Sequence, residues 1–505
     1  MWRFCRGDPL TFFVRVIITI ASCVVKQRAL YKIAPRRYNT GNTTREGVGR
    51  MNLWMDVMRD LESVMENYER LFDAWAEGGV DGLVIGPMAF GAAKLLAGTK
   101  SVTGARPPSA TFDPNSEVSH RLGVEPPPAP QEKSPEKRAR LERTLTAAKE
   151  RGWSVWIFTP AAGMGAGGTG HIFADEKTRD AFCARMIDTL ERYPMADGGI
   201  MDGPEWGYEI CPHHMNYRSY IFNDLPESVA PKAAQLGYDY AALVAAKDRL
   251  YQTLHSLDQA RITLHASGGL LGGFALVGSD TDLMAWFKFR VDALTDFFRN
   301  VRLCVDAHAT RKVKLGLGPR SACFASLCGY DFARLAEFMD VLLPKHYFWH
   351  RGFDGMYGTV YRYVETLTMW NPSLSDADAL AVVSALFGLT LPGVQNCSDF
   401  ENGFPAEFFE TVVKQETRRA LAAVDDPQRI VPWVDAGRRP HDGDPMSAGD
   451  LRRLLQAAQE AGLQRFLYHH QGNLTEGEWL VMSELCGKPY RPQPGGYRPL
   501  DADVL

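Results

Sequence analysis

Short apolar runs recur along the chain, each closed by glycine, proline or a polar residue. They are VRVIITIA (14–21), DGLVIGPM (81–88), WSVWIFTP (153–160), GGIMDG (198–203), KVKLGLGP (312–319), MDVLLPKHY (339–347), RIVPWVDAG (429–437) and RFLYHHQGN (465–473). Near-continuous hydrophobicity over so few residues marks strands buried on both faces, as in a parallel sheet. Between them lie segments with apolar residues at helical spacing: 53–79, 134–152, 175–194, 280–309, 331–339, 404–424 and 447–462. Their ends carry start and stop signals, such as the Ser-Pro opening at 134 and the glycine stops at Gly78-Gly79 and Gly152. The phrase helix–Gly–strand repeats in AEGGVDGLVIG, AKERGWSVWIF and AQEAGLQRFLY. Eight strands alternating with helices predict an α/β fold, a (β/α)8 TIM barrel, with its first strand at 14–21.

The boundaries follow from this pattern. Residues 1–12 are an N-terminal extension, 13–490 the barrel and 491–505 a C-terminal tail. Insertions occupy 88–133, 205–280 and 347–403. Each follows a strand's C-terminal end, the face on which barrels place their active sites. Extra length there implies a large substrate cleft.

Composition narrows the function. The chain has 505 residues, 45% hydrophobic and 23% charged, which is ordinary for a globular protein. The net charge of −4 comes without a basic patch, so nucleic acid is not an expected partner. Nine cysteines are scattered without paired spacing, the pattern of thiols in a reducing compartment. The apolar run at 12–25 is interrupted by Arg15, and the uncharged stretch after it is too short to span a membrane. The expected location is cytoplasmic; a signal in that run would instead export or lipid-anchor the chain. No oligomeric state can be read.

The chemistry concentrates at strand ends. The fourth strand ends in MDGPEWGYE, placing Asp202, Glu205, Trp206 and Tyr208 at the barrel mouth. The seventh ends in PWVDAG, adding Trp433 and Asp435. Hydrolysis of a glycosidic bond needs two carboxyl groups flanking it. Glu205 is the expected general acid/base, with Asp202 or Asp435 as nucleophile or stabilising carboxylate. Trp206, Tyr347 and Trp433 are candidate sugar platforms. Tyr208, Arg320, Lys345, His346, His469 and His470 are candidate substrate-binding residues, with one of the two adjacent histidines facing inward by strand alternation. Arg320 either binds substrate or pairs with a loop acid. No metal site is expected: no H-x-H lies on the first strand, His213 and His214 read as loop histidines, and Asp306 and His308 lie near a helix end. GMGAGG (163–168) formally fits a dinucleotide motif but is followed by no helix at the required place, so it reads as a loop and no cofactor is expected.

IMDGPEWGYE resembles the fourth-strand region of TIM-barrel glycoside hydrolases. Its Asp-Gly resembles the nucleophile segment of α-L-fucosidases, which would match Asp202. Likeness to the large retaining clan would make Glu205 the acid/base and Asp435 the nucleophile, with Pro204 standing where that clan usually has Asn, and with Asp where its nucleophile is normally Glu. The chitinase-like Asp-x-Asp-x-Glu spacing is not met by Asp197, Asp202 and Glu205. The order of WFKFRVDALTDFFRNVR, KLGLGPR and FMDVLLPKHYFW is similar to that in a group of bacterial glycosyl hydrolase barrels, over residues 197–350. The resemblance implies a glycosidase acting on an oligo- or polysaccharide. Two alternatives stay open: a metal-dependent barrel hydrolase or sugar isomerase, and a non-catalytic carbohydrate-binding barrel.

Overall fold

A computed structural model describes residues 49–57, 61–86, 115–126, 134–160, 173–203, 205–212, 220–223, 225–349, 355–438, 443 and 445–499. Among these, nine strands form one parallel sheet. They are β1 (Asn52–Asp56), β2 (Val80–Ile85), β3 (Ser154–Pro160), β4 (Gly198–Asp202), β5 (Lys314–Gly318), β6 (Val341–Leu342), β7 (Lys345–His346), β8 (Trp433–Val434) and β9 (Arg465–Tyr468). Pairing runs from β1 through β2, β3, β4 and β5 to β6 on one side. On the other side it runs from β1 through β9 and β8 to β7.

β6 and β7 are two halves of one strand, and this closes the sheet. The Leu343 and Lys345 N–H groups donate to the carbonyls of Leu317 (2.8 Å) and Pro319 (3.0 Å), on the β5 side. The Leu342 and Pro344 carbonyls accept from Val431 (2.9 Å) and Trp433 (2.9 Å), on the β8 side. Pro344 has no N–H to add to that ladder, which splits the strand in two. The architecture is therefore an eight-stranded parallel (β/α)8 barrel.

One predicted strand is corrected. The position between β2 and β9 belongs to Asn52–Asp56, overlapping the start of the segment 53–79 expected as a helix, and that helix runs only from Leu61 to Glu77. The run at 14–21 lies outside the described residues. The predicted second to eighth strands keep their places around the barrel.

The helices follow local signals. Pro135–Glu150 opens on Ser134, whose side chain accepts the Lys137 N–H, and the chain leaves it through Gly152 at φ +77°. Glu176–Arg192, Thr281–His308 and Ala448–Glu460 open on the side chains of Asp175, Asp280 and Ser447. The segment expected as one helix over 404–424 is interrupted by a π-helical turn at Phe409–Val413. Insertion 205–280 carries the helix Tyr240–Leu254, and 347–403 carries Met356–Trp370 and Asp376–Phe387. No helix among the described residues is long and apolar enough to cross a membrane.

Strand alternation divides the apolar side chains into two cores. Leu53, Met55, Leu83 and Ile85 face the helices, while Trp54, Val84, Trp156, Ile200, Trp433 and Leu467 fill the barrel. Trp54 and Trp156 meet there at 5.5 Å between ring centroids. Gly82 makes room for them, because a Cβ at that position would lie 2.2 Å from the Trp54 ring. Below the barrel, the Tyr497 hydroxyl accepts from Trp75 Nε1 at 3.2 Å. A cavity of about 410 Å³ lies beside it, lined by Glu77, Trp479, Tyr490 and Arg491, on the face opposite the strand C-termini.

Candidate active site

Alternation along the strands also builds a polar layer above the apolar floor. Asp56 comes two residues after Trp54, Asp202 two after Ile200, and Lys345 two after Leu343. Asp435 comes two after Trp433, and His469 two after Leu467. Each is thus the next inward position at the C-terminal end of its strand. Asp56, Lys345, Asp435 and His469 are buried, and Asp202 is half-buried. On β5 the matching position is Gly318, where a Cβ would lie 2.8 Å from Asp202 Oδ1.

These groups pair with one another. Lys345 Nζ is ion-paired with Asp202 Oδ1. The same ammonium sits 3.4 Å from the centroid of the Trp433 ring and 5.3 Å from that of Tyr347. This is cation–π geometry at a desolvated site. His469 Nδ1 lies 2.5 Å from Asp56 Oδ2, and its Nε2 lies 3.8 Å from Asp435 Oδ2. Asp435 Oδ1 accepts the Gly437 N–H at 2.7 Å. Gly437 has φ +83°, a conformation that glycine adopts without penalty.

Glu205 forms a second cluster in the wall. Its Oε1 accepts from Arg320 Nε (2.9 Å) and a terminal guanidinium nitrogen (2.6 Å), and its Oε2 accepts from the Tyr330 hydroxyl (2.9 Å). Burial, helped by the Glu205 charge, pushes the Tyr330 phenol well above its ordinary range, so it stays a donor. Arg320, 2% exposed, thus pairs with a loop acid, the second of its two expected roles.

Five expected sugar contacts are corrected. Trp206 is fully buried among the helices, against Phe173 and Phe289, and donates its indole N–H to the Arg290 carbonyl at 2.9 Å. Tyr208 is buried against Phe324, its ring stacked at 5.9 Å. His346 alternates with Lys345 and faces outward, beside Phe348 of the outer core. Trp433 and Tyr347 do line the barrel, but as buried floor, with Lys345 over the Trp433 face. Of the two adjacent histidines, His469 faces the acids, and the ring of buried His470 stands 5.3 Å from it. Asp56 and Tyr330 are the site residues the sequence pattern missed. Reading 53–79 as one helix hid Asp56, although its position two after an inward Trp was the available signal.

No family model matches the chain, and no curated protein matches it. Among solved structures, the chain is similar to the PgaB (BpsB) glycoside hydrolase domain from Bordetella bronchiseptica. The TM-score is 0.43 at 12% identity, over 86% of this chain and 99% of that one. It is also similar to the class V chitinase from Nicotiana tobaccum, with TM-score 0.39 at 9% identity over 87% and 99% of the chains. The Ostrinia furnacalis group IV chitinase gives TM-score 0.39 at 9% identity over 87% and 100%. The barrel rests on its own strand pairing.

The site therefore offers two carboxylates with different neighbours. Asp202 faces an ammonium, and Asp435 faces an imidazole. Among the described residues, no group of three or more His, Cys, Asp or Glu side chains is disposed to hold a metal ion. His213, His214 and residues 163–168 lie outside the described residues.

Proposed function

We propose that this protein is a glycoside hydrolase acting on an oligo- or polysaccharide, with Asp202 and Asp435 as its two carboxylates. The observation that carries this reading is their placement. They end the fourth and seventh positions of the barrel, both at the first inward place above the aromatic floor. Asp202 is ion-paired with Lys345, which suits the group that faces the anomeric carbon as positive charge develops there. Asp435 stands beside an imidazole that can carry a proton, which suits the group that protonates the leaving oxygen. Glu205, with both oxygens already accepting hydrogen bonds, is assigned to the wall rather than to proton donation.

The test uses a panel of aryl glycosides and natural oligosaccharides. Asp202→Asn and Asp435→Asn, each folded by circular dichroism, are expected to lose turnover by about 10³-fold or more. Glu205→Gln is expected to lose less than either. Binding of glycan by the wild type without any turnover would overturn hydrolysis in favour of a carbohydrate-binding barrel.

A further inference from the structure

Asp56 ends the first barrel strand, has no exposed surface and bonds His469 at 2.5 Å. Glycoside hydrolysis by two carboxylates gives it no task. We propose that Asp56 is a positioning residue that holds His469 with its proton on Nδ1, so that Nε2 and Asp435 Oδ2 together store the proton used in the reaction. The part concerning Asp435 rests on the function proposed above; the part concerning the imidazole does not.

An ionised carboxylate only accepts hydrogen bonds, so the imidazole nitrogen facing Asp56 must be the N–H. That choice leaves Nε2 aimed at Asp435 Oδ2, 3.8 Å away. A shift of about 1 Å brings this to hydrogen-bonding distance, a tightening expected on substrate binding. His469 is held in place by floor rings, with Trp433 at 5.6 Å and Tyr347 at 6.3 Å between centroids.

The surrounding charge favours one stored proton. The charged and titratable described groups around the pair are Asp56 from β1, Lys345 from β7 with Asp202 behind it, Tyr347 just past β7, and Tyr468 and His470 from β9. Beyond β8 come Arg438 and the Glu478 that it and Tyr468 both bond. Asp56, Asp202, Asp435 and Glu478 outnumber the permanent cations Lys345 and Arg438. A proton shared by His469 and Asp435 offsets part of that excess in a water-poor site. In the reaction, the stored proton passes from Nε2 through Asp435 to the glycosidic oxygen as the bond to the anomeric carbon breaks. Water then adds its hydroxyl to the anomeric carbon, and its remaining proton returns through Asp435 to Nε2.

The experiment is a 15N-histidine NMR titration of the full chain, with His469→Gln identifying the resonance. The wild type is expected to keep its proton on Nδ1 and to titrate at Nε2. Asp56→Asn and Asp435→Asn are each expected to move the His469 midpoint to lower pH by about one unit, because each removes a negative charge beside the proton. The alkaline limb of the kcat–pH profile of Asp56→Asn is expected to move in the same direction, with KM unchanged. A neutral tautomer with the proton on Nε2 in the wild type overturns the proposal, even if Asp56→Asn does not fold. So does an unmoved midpoint in a folded Asp56→Asn. The expected titration without glycosidase turnover supports the Asp56–His469 assignment and overturns the hydrolase reading instead.

Discussion

Lys345 joins the two halves of the polar layer, because its ammonium bonds Asp202 and lies on Trp433 in the same position. Lys345→Met keeps the stem and removes the charge, leaving Asp202 beside an aromatic face. The expected loss is about 2 kcal/mol by chemical denaturation, below the ~3–5 kcal/mol of a fully buried broken pair. Asp202 retains 21% side-chain exposure, and water reaching it offsets part of the loss. Gly318 gives a sharper probe. A methyl group there would meet Asp202 Oδ1 at 2.8 Å, so Gly318→Ala must displace the carboxylate. Turnover on a responsive glycoside is expected to fall about 10–100-fold, the usual effect of misplacing a reacting group by about 1 Å. Unchanged turnover would show that Asp202 is not held to a fixed position. Asp202 and Asp435 were legible from sequence because each closes an apolar run. The fate of Trp206 was not, because an indole beside an acid looks alike in a cleft and in a core until its neighbours are known.

The element that best shows this limit is β7. Its two residues split between layers, Lys345 to the barrel and His346 to the helices, as a period of two requires. Sequence placed both at the mouth because it located the strand end without fixing its phase. Neither ring nitrogen of His346 has a hydrogen-bond partner among the described residues, and burial lowers its pKa from 6.5 to about 3. The sign follows from linkage. The unfolded chain binds this proton below about pH 6.5 and the folded chain does not until about pH 3, so stability falls as pH drops through that window. By pH 5 the cost is about 2 kcal/mol. His346→Phe is expected to flatten the decline between pH 7 and pH 5 in thermal unfolding, and an equally steep decline would place the charge elsewhere. β1 was misread for a related reason. Leu53, Trp54 and Val57 satisfy helical spacing as well as strand alternation, and only the pairing with β2 and β9 decides between them.

At the scale of the whole molecule, the barrel was legible because its βα cadence repeats, so one misplaced strand did not disturb the order of the other seven. Closure across Pro344 was not legible, since it depends on hydrogen bonds to β5 and β8 from opposite sides of one residue pair. The C-terminal segment was expected as a tail, yet Tyr497 is buried against Trp479 and bonded to Trp75. Tyr497→Ala is expected to cost about 3 kcal/mol and Tyr497→Phe about 1 kcal/mol in denaturant unfolding, with turnover unchanged because this face lies opposite the site. The polar layer itself assembles from strands far apart in sequence, and its function is the claim on which the rest depends. Turnover of Asp202→Asn and Asp435→Asn on the glycoside panel tests it most directly. Wild-type hydrolysis that falls by about 10³-fold or more in both folded variants is the result expected. Hydrolysis that persists at the wild-type rate in either variant would contradict it.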